Sequence, residues 1–127
     1  MNVALRSLVL LASMAGSSCG LEMPSTPQGS VVITIKDFVY SPADLTVDPG
    51  ATIIVRNLDS EPHSVTSETA EGAFKPGAVN GVSFDTGSYS SSDRTITIPV
   101  GAPHGTVVPY YCSVHLGGMM QGRITIR

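Results

Sequence analysis

The chemistry-bearing stretch of this chain is Tyr110-Tyr111-Cys112-Ser113-Val114-His115-Leu116-Gly117-Gly118-Met119-Met120-Gln121-Gly122. A thiol, an imidazole and two thioethers sit within nine residues, Cys112 to Met120. Thiolate and thioether are soft donors and imidazole is borderline, a set that suits copper and suits magnesium or calcium poorly. A trigonal copper site needs one more nitrogen. His63, in Glu61-Pro62-His63-Ser64, is the candidate. The expected metal site is therefore His63, Cys112 and His115 in a plane, with a weak axial methionine.

Taken singly, each residue has an ordinary explanation. A lone Cys is usually a small buried hydrophobe, a lone loop His is usually solvated, and paired Met usually fill core gaps. Their combination in one loop, with a distant His in another, carries the argument. It holds only if the framework brings the ends of non-adjacent strands together, so the elements matter.

From residue 31 onward the hydrophobic period is two. Residues 31–36 (VVITIK), 45–47, 51–57 (ATIIVRN), 93–100 (DRTITIPV), 107–111 and 122–127 read as strands, with 65–69 as a short one. Asp48-Pro49-Gly50 is a turn signal. Only residues 68–75 suit a helical turn, and 80–92, with its Gly-Ser-Tyr-Ser-Ser-Ser run, reads as a surface loop. Short strands separated by Gly and Pro predict an all-β fold, an antiparallel Greek-key sandwich or barrel in a single domain, 31–127. Such a sandwich clusters loops at its ends, which is where the Cys112 loop and His63 would meet.

The remaining composition limits the alternatives. The chain of 127 residues is 42% apolar and 13% charged, with net charge −3 and no dense Lys or Arg run. A coiled coil, a charge-rich disordered chain and a nucleic-acid partner are all disfavoured. Residues 1–18 carry Arg6 as their one charge and an apolar run too short to span a bilayer, which reads as a secretory signal. Small residues then lead into Cys19, resembling a bacterial lipoprotein signal in which that Cys is lipidated. The other reading is cleavage nearby that leaves a short tail with a free Cys. Residues 19–30, rich in Pro, Ser, Gly and Gln, form a flexible tether in both readings. The expected location is the periplasm or the cell-envelope membrane.

At these residues the chain resembles the cupredoxins, the small blue copper proteins, and within them the plastocyanin-like group. The family loop Tyr-Cys-x2-His-x4-Met-x-Gly is met by Tyr111, Cys112, His115, Met120 and Gly122. Met119 is one residue early, so Met120 is the expected axial ligand and Met119 the alternative. Asp37-Phe38-x-Tyr40-x-Pro42, Val47-x-Pro49-Gly50, and Asn57 ahead of His63 match the family's first half. The resemblance implies one type 1 copper ion per chain and one-electron transfer between redox partner proteins by a monomer. It also implies that the His115 ring edge reaches the surface, with Leu116, Gly117 and Gly118 as a flat docking patch and Tyr111 as a second electron route.

Two departures bear on tuning. Ser64 stands where many members have an Asn that braces the Cys loop. Val114 stands where Pro is common, and its amide is free to donate to the thiolate. Asp59 and Glu61 offer a place to steer a basic partner, though a solvated loop is as good a reading.

An enzyme reading is weak. His104 is the only His left after two are assigned, and one imidazole cannot build a second copper centre in the chain. A thiol protease would need an orienting acid or Asn that the pattern does not indicate. The competing readings are a copper storage, delivery or sensing module on the same fold, and a β-sandwich interaction module in which the constellation is accidental.

Overall fold

A computed structural model of the chain describes residues 31–117 and 119–127. The signal, Cys19 and the tether expected at 1–30 lie outside the described residues, as does Gly118. The strands are β1 (Val31–Lys36), β2 (Val39–Ser41), β3 (Asp44–Val47), β4 (Thr52–Asn57), β5 (Thr66–Ser67), β6 (Asp93–Thr97), β7 (Val107–Tyr111) and β8 (Gln121–Ile126). They form two four-stranded sheets, ordered β2-β1-β4-β6 and β3-β8-β7-β5. No helix is found among the described residues.

The period-two pattern is what makes the layers. Ile33 and Ile35 of β1, Ile53 and Val55 of β4, Val108 and Tyr110 of β7, and Ile124 and Ile126 of β8 all bury their side chains in one core. Truncating one of these isoleucines to Ala costs about 2–5 kcal/mol in such a setting. Gly122 is required by a close approach: a Cβ there would lie 2.3 Å from both the Tyr110 ring and the Ala43 carbonyl. That contact lets the Tyr110 hydroxyl donate to Ala43 O at 2.8 Å, tying β7 to the start of β3.

The sandwich is as expected, and each sheet is mixed. β1 runs parallel to β4, and β3 runs parallel to β8. After the β1–β2 hairpin the chain crosses to the second sheet as β3, then returns to lie beside β1 as β4. A strand re-entering its sheet through such a crossover can run parallel, which a direct hairpin forbids.

Two segments differ from their sequence reading. Residues 68–75 form turns and no helix, because the buried Glu68 carboxylate accepts the Gly72 and Phe74 amides at 3.1 and 2.7 Å. The 80–92 segment is irregular, yet Val82 and Tyr89 are buried and it packs along the β4–β5 connection. The Tyr89 hydroxyl donates to Val55 O at 2.8 Å, which draws the segment into the core.

Candidate metal centre

His63 is positioned by the chain that leaves β4. The buried Asn57 side chain donates through Nδ2 to Glu61 O and Tyr89 O, at 3.0 and 2.8 Å, and accepts the Asp59 amide at 2.9 Å. The loop is thus wound around one amide group. His63 then pairs with Tyr89 in a two-residue bridge, N–H to O at 3.0 Å and the reverse at 3.1 Å. The imidazole is fully buried.

Cys112 follows the last residue of β7, and its amide donates to Met120 O at 3.2 Å, closing the loop that carries His115. Cys112 is a buried free thiol. Ser64 itself supplies a brace to the Cys112 loop. Its Oγ accepts the Ser113 amide at 2.8 Å and contacts Ser113 Oγ and Thr66 Oγ1, both at 2.9 Å. Thr66 in turn donates to Asp85 at 3.0 Å. A run of hydroxyls does the work of one amide, with Ser113 as the partner that the sequence did not single out. The Ser64 amide also lies 3.5 Å from Cys112 Sγ and donates to it. The donor to sulfur is therefore Ser64, and Val114 makes no such bond among the described residues. Above Ser64, the buried Tyr40 hydroxyl donates to its carbonyl. Burial, with Cys112 next in effect, pushes the Tyr40 hydroxyl far up, so it stays a donor.

These tethers bring three donor atoms to one point. His63 Nδ1 and His115 Nδ1 are 3.2 Å apart, and Cys112 Sγ is 3.9 and 3.5 Å from them respectively. Ligand atoms about 2.0–2.3 Å from a common centre at 120° would lie about 3.5–3.7 Å from one another. The observed separations bracket that range. With soft sulfur and two imidazoles, the donor set fits a copper ion. Met120 is buried beside Cys112 and Met119 is 76% exposed.

Two neighbours of the imidazoles were legible in type and not in role. The Asp59 carboxylate turns inward and lies 2.9 Å from His63 Nε2, so it is not a free surface charge for steering a partner. Amides of Phe38 and then Asp37, together with His63, hold its carboxyl below the usual range. The Phe38 ring meets the His63 and His115 rings edge-on, each with centroids 4.9 Å apart. His115 is partly buried as a result, with Leu116 exposed next to it. His104 is exposed and bonds the Arg127 carbonyl, at the far ends of β6 and β8.

Residues 27–127 match the model of the copper binding proteins of the plastocyanin/azurin family. The chain is a cupredoxin. Solved structures agree on the fold. Amicyanin from Paracoccus versutus (Thiobacillus versutus) is 21% identical with a TM-score of 0.55, over 81% of this chain and 86% of that one. An amicyanin variant with Cu(I) gives 19% identity and a TM-score of 0.59, over 78% and 83% of the two chains. An oxidized amicyanin variant gives 20% and 0.57, over 82% and 88%. Copper is the cofactor of this cupredoxin, and the cluster of His63, Cys112 and His115 accounts for one site.

Proposed function

We propose that this cupredoxin is an electron carrier and not a catalyst, holding one type 1 copper through His63, Cys112, His115 and axial Met120. The observation that carries the reading is the convergence of one thiol and two imidazole nitrogens at trigonal spacing within a framework already tied in place. Bound copper supplies a one-electron couple there. The chain's part is to keep the ligands from moving as the charge changes. Asn57 and Tyr89 hold the His63 loop, the Ser64 amide donates to the sulfur, and Ser64 with Ser113 fixes the start of the Cys112 loop. Burial of His63, Cys112 and Met120 keeps water from the donors, and exposed Leu116 beside His115 gives a redox partner a weakly polar place to dock.

The sequence of residues 1–30 supports export and tethering in the cell envelope through Cys19. Mass analysis of the mature chain from a membrane fraction checks this, a diacylglyceryl-modified Cys19 being the expected species.

The test of the carrier reading is spectroscopic and electrochemical. Copper-loaded protein should show an intense visible thiolate-to-copper band, absent in Cys112→Ala, and a fast reversible one-electron wave. Colourless protein under oxidising conditions would overturn it. A bound, coloured centre without reversible exchange would favour the storage or delivery reading, since thiolate and thioether donors also hold Cu(I) well.

A further inference from the structure

The β1–β2 connection is a two-residue turn in which both central residues are left-handed, Asp37 at φ 52° and Phe38 at φ 63°. Such turns favour Gly and Asn, and a bulky aromatic in that region carries strain. Strain of this kind persists only where surrounding structure over-determines it, and it clusters at functional sites. Here the restraint is visible. The Asp59 carboxylate accepts the Asp37 amide through Oδ1 at 2.8 Å and the Phe38 amide through Oδ2 at 3.0 Å. Oδ2 also meets His63 Nε2 at 2.9 Å. One carboxylate therefore touches both a strained turn and an imidazole whose other nitrogen faces Cys112 and His115.

We infer that Asp59 is a positioning residue that fixes the His63 tautomer and, through the strained turn, seats the Phe38 ring against both imidazoles. An ionised carboxylate only accepts, so the proton on His63 must sit on Nε2, leaving the Nδ1 lone pair directed at the donor cluster. A carboxylate behind a ligating imidazole also raises its basicity. The same group holds Phe38 where its edge covers the two rings, with 36% of the residue left exposed. The step from this clamp to copper tuning rests on the carrier reading above; the tautomer and the ring placement do not.

The experiment compares wild type, Asp59→Asn and Phe38→Ala, in the copper-free and copper-loaded protein. Nitrogen NMR of copper-free wild type should show His63 protonated on Nε2. An Nδ1-protonated ring would overturn the inference whether or not any variant folds. In Asp59→Asn one oxygen and one NH2 replace two acceptors, so the Nε2-protonated population should fall. Copper(II) affinity should then drop about 10- to 100-fold, and the reduction potential should rise as the imidazole becomes a poorer donor to Cu(II). Phe38→Ala should keep the tautomer while removing the ring-current shifts on both imidazoles, and loss of the Nε2-protonated form in this variant would overturn the assignment of the tautomer to Asp59. Wild-type tautomer together with wild-type affinity and potential in Asp59→Asn overturns the clamp. Failure of wild type to give the thiolate–copper band would instead sink the carrier reading, and the copper-free tautomer would still judge Asp59.

Discussion

The two loops that bring ligands together are built on different plans. The His63 loop is an inside loop in its ties, wound on the buried Asn57 amide, bridged to Tyr89 and bonded at its imidazole to Asp59, while Leu58, Ser60 and Glu61 on its outer side are exposed. The Cys112 loop is tied at its two ends, by Cys112 N to Met120 O and by Ser113 to Ser64, while Ser113, Val114, Leu116, Gly117 and Met119 are exposed. In a carrier this is a division of labour. On the proposed carrier reading, the inward-tied loop would set the His63 geometry, and the exposed loop would complete the site and meet the partner.

The largest effect should come from breaking the inside loop at its centre. Asn57→Ala removes two donated bonds and one accepted bond at a buried position, taking the partner from the Glu61 carbonyl and the Asp59 amide, while Tyr89 O keeps the His63 amide. Each unsatisfied buried group costs about 1–3 kcal/mol, so copper-free stability should fall by about 2–4 kcal/mol in denaturant unfolding. Ser113→Ala, on the exposed loop, keeps the backbone donor and should cost under about 1 kcal/mol. Equal losses would contradict the division.

This contrast also explains what the sequence could and could not reveal. The Cys112 loop was legible because its donors are neighbours in the chain, and spacing alone selects them. The fold was legible because β1, β4 and β8 alternate over six residues each, and β7 is a short apolar run between them. The inside loop was not, because its supports come from afar. Tyr89 lies 32 residues from Asn57, in a Ser- and Gly-rich stretch whose composition reads as surface loop. Asp59 looked like a surface acid because nothing local shows that a turn 21 and 22 residues upstream would point its amides there. β2, at three residues, is too short for periodicity to register. The strand read at 93–100 stops at Thr97, although Ile98 N still reaches Ala51 O before Pro99 removes the next donor.

A smaller effect should separate the two methionines that share the Cys112 loop. Met120→Leu nearly conserves volume, so it should cost under about 1.5 kcal/mol and leave copper bound. Loss of the thioether should raise the reduction potential by about 60 mV, equivalent to a tenfold change for one electron. Met119→Leu, at a 76% exposed side chain, should leave the voltammogram unchanged. The reverse pattern would reassign the axial ligand to Met119.

The smallest effect concerns the frame beneath each loop. Arg56 and Asp93 face each other across β4 and β6, beneath the His63 loop, with Nη2 to Oδ2 at 2.9 Å. Arg123 and Asp44 do the same across β8 and β3, beneath the Cys112 loop, also at 2.9 Å. In each pair a hydrogen bond from the arginine holds the carboxyl below its ordinary value. A carboxyl lowered by folding stabilises the fold above its unfolded value of about 3.9. That contribution is lost as pH falls through the folded value. The contribution of these two pairs to copper-free thermal stability should therefore be constant above about pH 5 and decline below about pH 4. Both pairs are half exposed and screened by solvent, so Arg56→Ala and Arg123→Ala should each soften the decline only slightly and by the same amount. Equal responses would leave the loops themselves as the source of the asymmetry. A markedly larger response from Arg56→Ala would move the cause into the sheet that carries the His63 loop.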